Sequence, residues 1–204
     1  NGGLAWQNLL KWFPDRAKVR IPTSEVEANG ASQLRVLGRL GFFENDEVIE
    51  RMIRVKLNEL GTEVDPSRLS EYKRVVIVSS VAGGTGAGML IDIAYVARRQ
   101  LRRPRIYAYL LLPEVFQDVD SGGRIYQNAY ACLRELAYLK DQQIPFDAEY
   151  ERIPPIHVPV LGEEPFARIF LCSGDGFAGA DAIKIATHQI AESILGQLQR
   201  TIQE

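Results

Sequence analysis

Cysteine, methionine, tryptophan and histidine are all scarce in this 204-residue chain, with two of each. The cysteines, Cys132 and Cys172, have neither Cys-x-x-Cys nor metal-ligand spacing. That excludes a disulfide-stapled scaffold and a cysteine-based metal centre, and both residues are read as buried, reduced thiols of a cytoplasmic protein. His157 and His188 have no partner at metal or catalytic-triad spacing, and Gly-x-Ser-x-Gly is absent, so nothing points to a Ser-His-Asp hydrolase. No apolar stretch is long enough to span a bilayer, and no signal peptide is visible. Lys and Arg number 24 against 26 Asp and Glu, a net charge of −2, which leaves no global footprint for nucleic acid or a membrane surface. The one dense basic run, Arg98-Arg99-Gln100-Leu101-Arg102-Arg103-Pro104-Arg105, has no interleaved aromatics. It straddles a predicted helix C-terminus, where cations offset exposed carbonyls, so no nucleic-acid partner is expected.

What remains is ordinary globular composition, 46% hydrophobic and 25% charged, enough for one domain over residues 1–204 with a sizeable core. The chain begins at Asn1 and ends in a predicted helix at Glu204, as a segment of a longer protein would. Along it, Leu4 to Phe13 reads as a short amphipathic helix and residues 14–33 as a connecting loop. Val48, Ile49, Met52, Ile53, Leu57 and Leu60 follow the i, i+3, i+4 rule of a packed helix that stops at Gly61. Val75–Ser79, Ile106–Leu112 and Phe166–Cys172 read as buried strands, with a further short strand at Ile156–Val160. Helices are predicted from about Thr85 to Leu101, Arg124 to Lys140 and Gly179 to Gln199, with Arg35 and Arg39 on a solvated helix face. The last helix is apolar over a wide arc and is expected to be central. Continuous apolar strands alternating with helices imply an α/β fold, a parallel sheet covered by helices on both faces. Ligands of such sheets bind beyond the carboxyl ends of the strands, here the loops 80–88, 113–124 and 173–180.

The first of these loops carries the strongest signal. Val81-Ala82-Gly83-Gly84-Thr85-Gly86-Ala87-Gly88 joins a β-branched strand to an apolar helix. Glycines at a strand-to-helix turn let the backbone approach an anion, and the helix N-terminus favours negative charge. Thr85 is a candidate helix cap or phosphate ligand. The competing reading is a tight turn with no ligand. No Gly-Lys-Ser/Thr follows, so the loop is not a Walker A motif, and its glycine spacing fails Gly-x-Gly-x-x-Gly.

The run resembles the tubulin and FtsZ signature G-G-G-T-G-[SAT]-G in six of seven places, with Ala82 at the first glycine. Asn29 to Arg39 resembles the family's upstream phosphate loop, with Ser32 replacing a glycine. Pro113-Glu114-Val115-Phe116 opens a loop similar to the ribose-binding loop, and Asp120 and Arg124 have the family's acid-x-x-x-Arg spacing. Asp181 has the spacing of the acid that begins the central helix. Gly38-Arg39, Ser79 to Arg98 and Asn128-Ala129-Tyr130-Ala131 look most like the bacterial tubulin-like proteins. The resemblance covers about residues 28–200 and implies a Rossmann-like GTPase domain ending in the central helix.

It further implies GTP or GDP with Mg²⁺ as ligands, and a filament- or oligomer-forming cytoskeletal protein that associates head to tail with itself. Gly83, Gly84, Thr85, Gly86, Ala87 and Gly88 would hold the α- and β-phosphates. Ala31, Ser32 and Arg124 would lie toward the γ-phosphate, Asp120 at the ribose and Asp181 at the base, with Phe177 stacking on it. Plainer roles compete: Arg124 paired with Asp120, Asp181 complementing a helix dipole, Phe177 in the core. No catalytic base is assigned within the chain. In the family a first strand with its own glycine loop precedes this region, and an acid that acts on the neighbouring subunit's nucleotide follows it. Two other functions stay open, an assembly scaffold without hydrolysis and a Rossmann-type dinucleotide enzyme. The latter predicts an acid about twenty residues past the glycines, where Pro104 and Arg105 stand.

Overall fold

The computed structural model describes residues 31, 33–62, 74–101, 104–119, 123–141, 145–158, 164–174, 176 and 179–203. The expected helix at Leu4–Phe13 lies outside them. In chain order the elements are α1 (Arg35–Glu44), α2 (Asp46–Thr62), β1 (Arg74–Ser80), α3 (Gly84–Gln100) and β2 (Arg105–Leu111). A 3-10 helix (Pro113–Val119) follows, then α4 (Ile125–Lys140), β3 (Phe146–Ala148), β4 (Ile156–Val158), β5 (Arg168–Cys172) and α5 (Gly179–Gln203).

The β-branched run of β1 and the apolar runs of β2 and β5 form a three-stranded parallel sheet in the order β1-β2-β5. On one face Ile106, Ala108 and Leu110 pack against Leu90, Ala94 and Ala97 of α3 and Ala129, Cys132 and Leu136 of α4. On the other, Tyr109 and Leu111 meet Ala186 and Ile190 of α5 and Val115 of the 3-10 helix. The Tyr109 hydroxyl lies 3.0 Å from Ser193 Oγ and accepts from Gln197 Nε2 at 2.8 Å, which ties α5 to the central strand. Ile106 and Leu110 are wholly buried, and each such side chain stabilises the fold by about 1.5–3 kcal/mol. The parallel sheet with helices on both faces is therefore present as the sequence predicts. Among the described residues no helix is long and apolar enough to cross a membrane.

The helix that carries Arg35 and Arg39 is α1, and the glycines of RVLGRLGFFE lie within it. The strand expected at Ile156–Val160 is present as β4 over its described residues, Ile156–Val158, and pairs antiparallel with an unforeseen β3. The wide apolar arc of α5 is covered on one side only among the described residues: Ala186 and Ile190 are buried, whereas Leu195 and Leu198 are 58% and 48% exposed.

The tightest packing joins α1 to α3. A Cβ on Gly38 would stand 2.2 Å from the Gly84 carbonyl oxygen and 2.9 Å from Thr85 Cα. One on Gly88 would stand 2.3 Å from the Arg35 carbonyl oxygen and 2.9 Å from Arg39 N. The two helices touch backbone to backbone, a separation that no larger residue permits. A Cβ on Gly41, on the same helix, would meet nothing within 4 Å among the described residues. Gly38→Ala is therefore expected to lower stability by about 1–3 kcal/mol through overpacking. Gly41→Ala should raise it by about 0.5–1 kcal/mol through helix propensity. Urea unfolding of the two variants checks the contrast.

Candidate functional site

The strand register sets the site. Ser80 pairs with Leu111, and Leu111 with Cys172, so β1, β2 and β5 end flush. The loops that follow them emerge along one edge of the sheet, where parallel α/β sheets bind ligands.

At the first of these ends, Val81 N donates to the Leu111 carbonyl at 3.1 Å and Ala82 N to Ser80 Oγ at 3.0 Å. Gly83 then stands extended (φ −84°, ψ 170°) at the head of α3, and no side chain caps the helix. The N–H groups of the first turn have no acceptor within the helix, and the aligned peptide dipoles place partial positive charge there. The glycines divide by role. Those at 84, 86 and 88 face the chain's own atoms: a Cβ on Gly84 would meet Ala31 Cβ at 2.9 Å, and one on Gly86 would meet Ser79 Oγ at 2.5 Å. A Cβ on Gly83 would meet nothing within 4 Å among the described residues, so among them the loop opens at its first glycine.

Thr85 does not cap α3; its Oγ1 accepts instead from Ala31 N at 3.4 Å. Ala31 is buried and accepts from Leu34 N at 2.7 Å, closing a four-residue turn whose third member, Gln33, is left-handed at φ 59°. That conformation costs a non-glycine residue about 1 kcal/mol or more. Asn128 of α4, 8% exposed, donates its amide to the Gln33 carbonyl at 2.8 Å and to the Ala82 carbonyl at 2.9 Å. Ala31 and the glycine loop are thus brought together, with α4 behind them.

Arg124 is the exposed N-cap residue of α4, and its carbonyl accepts from Asn128 N at 2.9 Å. It heads the helix that backs the glycine loop. Asp181 lies in the first turn of α5, 79% exposed and 4.0 Å from Lys184 Nζ, as a residue complementing the helix dipole would. Ser32, Asp120 and Phe177 lie outside the described residues. Three features escaped the sequence reading: Asn128 as a bridge, the buried Gln33 Oε1, and the buried Glu114 Oε2, the last two without a hydrogen-bond partner among the described residues. A charged residue straight after an apolar strand is the signal that could have found Glu114. Among the described residues no cluster of three or more His, Cys, Asp or Glu could hold a metal.

Arg35 and Arg39 are not a solvated face. Arg35 donates to the Ala87 carbonyl through Nε at 3.3 Å and pairs with Glu135 of α4. Arg39 Nε reaches the buried Asp92 of α3 at 3.1 Å, and the Tyr150 hydroxyl donates to the same carboxylate at 2.8 Å. Burial raises the Asp92 pKa, and Arg39 and Tyr150 oppose that rise. Arg35, Arg39, Asp92 and Glu135 line a cavity of about 490 Å³ between α1, α3, α4 and β3. Within it Arg35 faces Glu135 and Arg39 faces Asp92, and Asp147 Oδ1 lies 2.6 Å from His157 Nδ1. In the basic run, Arg99 pairs with Glu50 and donates to the Pro154 carbonyl, while Arg102 and Arg103 lie outside the described residues. Cys132 is buried and its thiol is pushed up to about 11 by burial; neither cysteine is in a disulfide.

Removing Arg39 leaves the Asp92 carboxylate buried without its cation. Arg39→Met is expected to cost about 3 kcal/mol at neutral pH. A raised folded-state pKa means that stability falls as pH rises through it and recovers below it. The deficit of Arg39→Met should therefore shrink on acidification as Asp92 takes up a proton. Urea unfolding of both proteins at pH 7 and pH 5 checks the sign.

Comparison with solved structures gives a match to CetZ from Methanosaeta thermophila strain DSM 6194, at a TM-score of 0.52 and 22% identity. It covers 84% of this chain and 37% of that one, so this chain spans well under half of the matched protein and the likeness is one of fold. A comparison with curated protein sequences gives no match. The family model described as "Tubulin like" matches residues 5–203, nearly the whole chain. The flush sheet edge, the glycine loop heading α3 and that match lead to one conclusion: the chain belongs to the tubulin-like family of the tubulin/FtsZ superfamily.

Proposed function

We propose that this chain is the nucleotide-binding domain of a cytoplasmic, self-assembling guanine-nucleotide-binding protein. The observation that carries the reading is the uncapped head of α3, opening at Gly83 on the sheet edge where three strands end flush. Backbone N–H groups of Gly83 to Gly88 would face the α- and β-phosphates, an arrangement suited to anions because donors and helix dipole act together. Ala31 and Ser32 of the α1 turn and Arg124 at the head of α4 would lie toward the γ-phosphate. Asp120 would meet the ribose and Asp181 the base. Mg²⁺ would arrive on the phosphates, whose charge it neutralises, since the described residues offer it no ligand cluster. The preference for guanine rests on the family. Hydrolysis would be completed by an acid from the next subunit in a head-to-tail assembly, a heterologous contact that propagates into filaments when it does not close.

Gly83→Val tests the site because an added Cβ there meets no described atom within 4 Å. With the full-length protein and Mg²⁺, a fluorescent GTP analogue should bind and be displaced by GTP but not by equal ATP or NAD. Gly83→Val should weaken binding by about tenfold or more, the loss of one charge-assisted hydrogen bond or its equivalent, while the protein stays folded with only the small loss of stability that valine brings to an N-cap. Absence of binding would leave a scaffold, and displacement by NAD would indicate a dinucleotide enzyme.

A further inference from the structure

We propose that Asn128 is a positioning residue for the phosphate site, a latch that aims the first N–H group of the glycine loop; this role rests on the nucleotide reading above. Asn128, Asp46 and Asp92 are the buried polar or charged side chains among the described residues. The two aspartates have structural partners: Asp46 accepts from the backbone N–H groups of Glu47 and Arg152, and Asp92 from Arg39 and Tyr150. Asn128 instead sits on the core face of α4 beside Ile125, Ala129 and Cys132, where an apolar residue would serve packing better. A buried carboxamide is tolerated only when its hydrogen bonds are made.

Those bonds join two separate loops. The Nδ2 group has two hydrogens, and the two acceptors are the Gln33 and Ala82 carbonyls at 2.8 and 2.9 Å. Both partners are acceptors, so the position requires a double donor, and aspartate would present two oxygens to two oxygens. The consequence for the site follows from the peptide plane. The Ala82 carbonyl and the Gly83 N–H belong to one peptide unit, and no peptide bond here is cis. In a trans unit the two groups point in opposite directions. Drawing the Ala82 carbonyl inward onto Asn128 therefore turns the Gly83 N–H away from α4, at the residue where the loop opens. The second bond holds the left-handed Gln33 turn, and with it Ala31, against the same loop. Asn128 touches no ligand in this arrangement and acts through the two loops.

The test compares Asn128→Asp with Leu136→Ala in the full-length protein. Leu136 is a buried residue of the same helix with no part in the site, so its truncation reports what mere loosening of α4 does. Affinity for a fluorescent GTP analogue with Mg²⁺ should fall by about tenfold or more in Asn128→Asp. In Leu136→Ala it should stay within about twofold of the wild type despite lower thermal stability. If Asn128→Asp does not fold, Asn128→Ser, which keeps one donor, should show a smaller loss of the same kind. Wild-type affinity in the Asn128 variant, or an equal loss in Leu136→Ala, overturns the positioning role alone. Failure of the wild type to bind overturns the nucleotide reading, and this role with it.

Discussion

The backbone contact between α1 and α3 is the constraint on which the rest of the site depends. Gly38 lies against Gly84 and Thr85, and Gly88 against Arg35 and Arg39, so the two helices are fixed at a separation set by their main chains. That contact places the turn at Ala31 beside the head of α3 and leaves Gly83, of the loop's four glycines, the one with no described atom within 4 Å of an added Cβ. Most of the glycines in the loop therefore serve packing, and the opening for a ligand is what remains after the packing is complete. Close packing transmits displacement, because a well-filled interface has few intermediate arrangements.

Polar interactions reinforce the same contact from its other side. Arg35 and Arg39 leave α1 toward Glu135 of α4 and Asp92 of α3, and Tyr150 adds a third hydrogen bond to Asp92. A half-buried arginine on a buried carboxylate contributes less to net stability than to uniqueness of arrangement, since desolvation offsets much of the attraction. Its effect here is to make one relative position of α1, α3 and α4 far better than its neighbours. Asn128 continues this pattern at the sheet edge, where its one amide group joins the carbonyls of two separate loops.

Much of this was legible in the sequence, for reasons that differ by element. β1, β2 and α3 were visible because β-branched runs and helical spacing are local patterns, and the glycine loop because four glycines in six residues have few uses. β3 was not visible, since three residues carry no periodicity, and the bounds of α1 were obscured by Gly38 and Gly41. The partners of Arg35 and Arg39 lie 100 and 53 residues away, so nothing local distinguishes them from a solvated face. Asn128 looked like an ordinary polar position on an amphipathic helix, because its acceptors are carbonyls whose placement exists only in the fold. The assignment of Asp181 to the base came from family spacing, and its exposed position at the head of α5 is also that of a dipole-complementing residue.

The most direct test of the central claim is to titrate the ¹⁵N-labelled full-length protein with GTP and Mg²⁺ and follow the backbone amides. The account predicts saturable shifts concentrated at Gly83 to Gly88 and the turn at Ala31, with the amides around Asp92 and Tyr150 unmoved. Shifts confined to the cavity beside Asp92, or saturation with the Gly83–Gly88 amides unchanged, would contradict it.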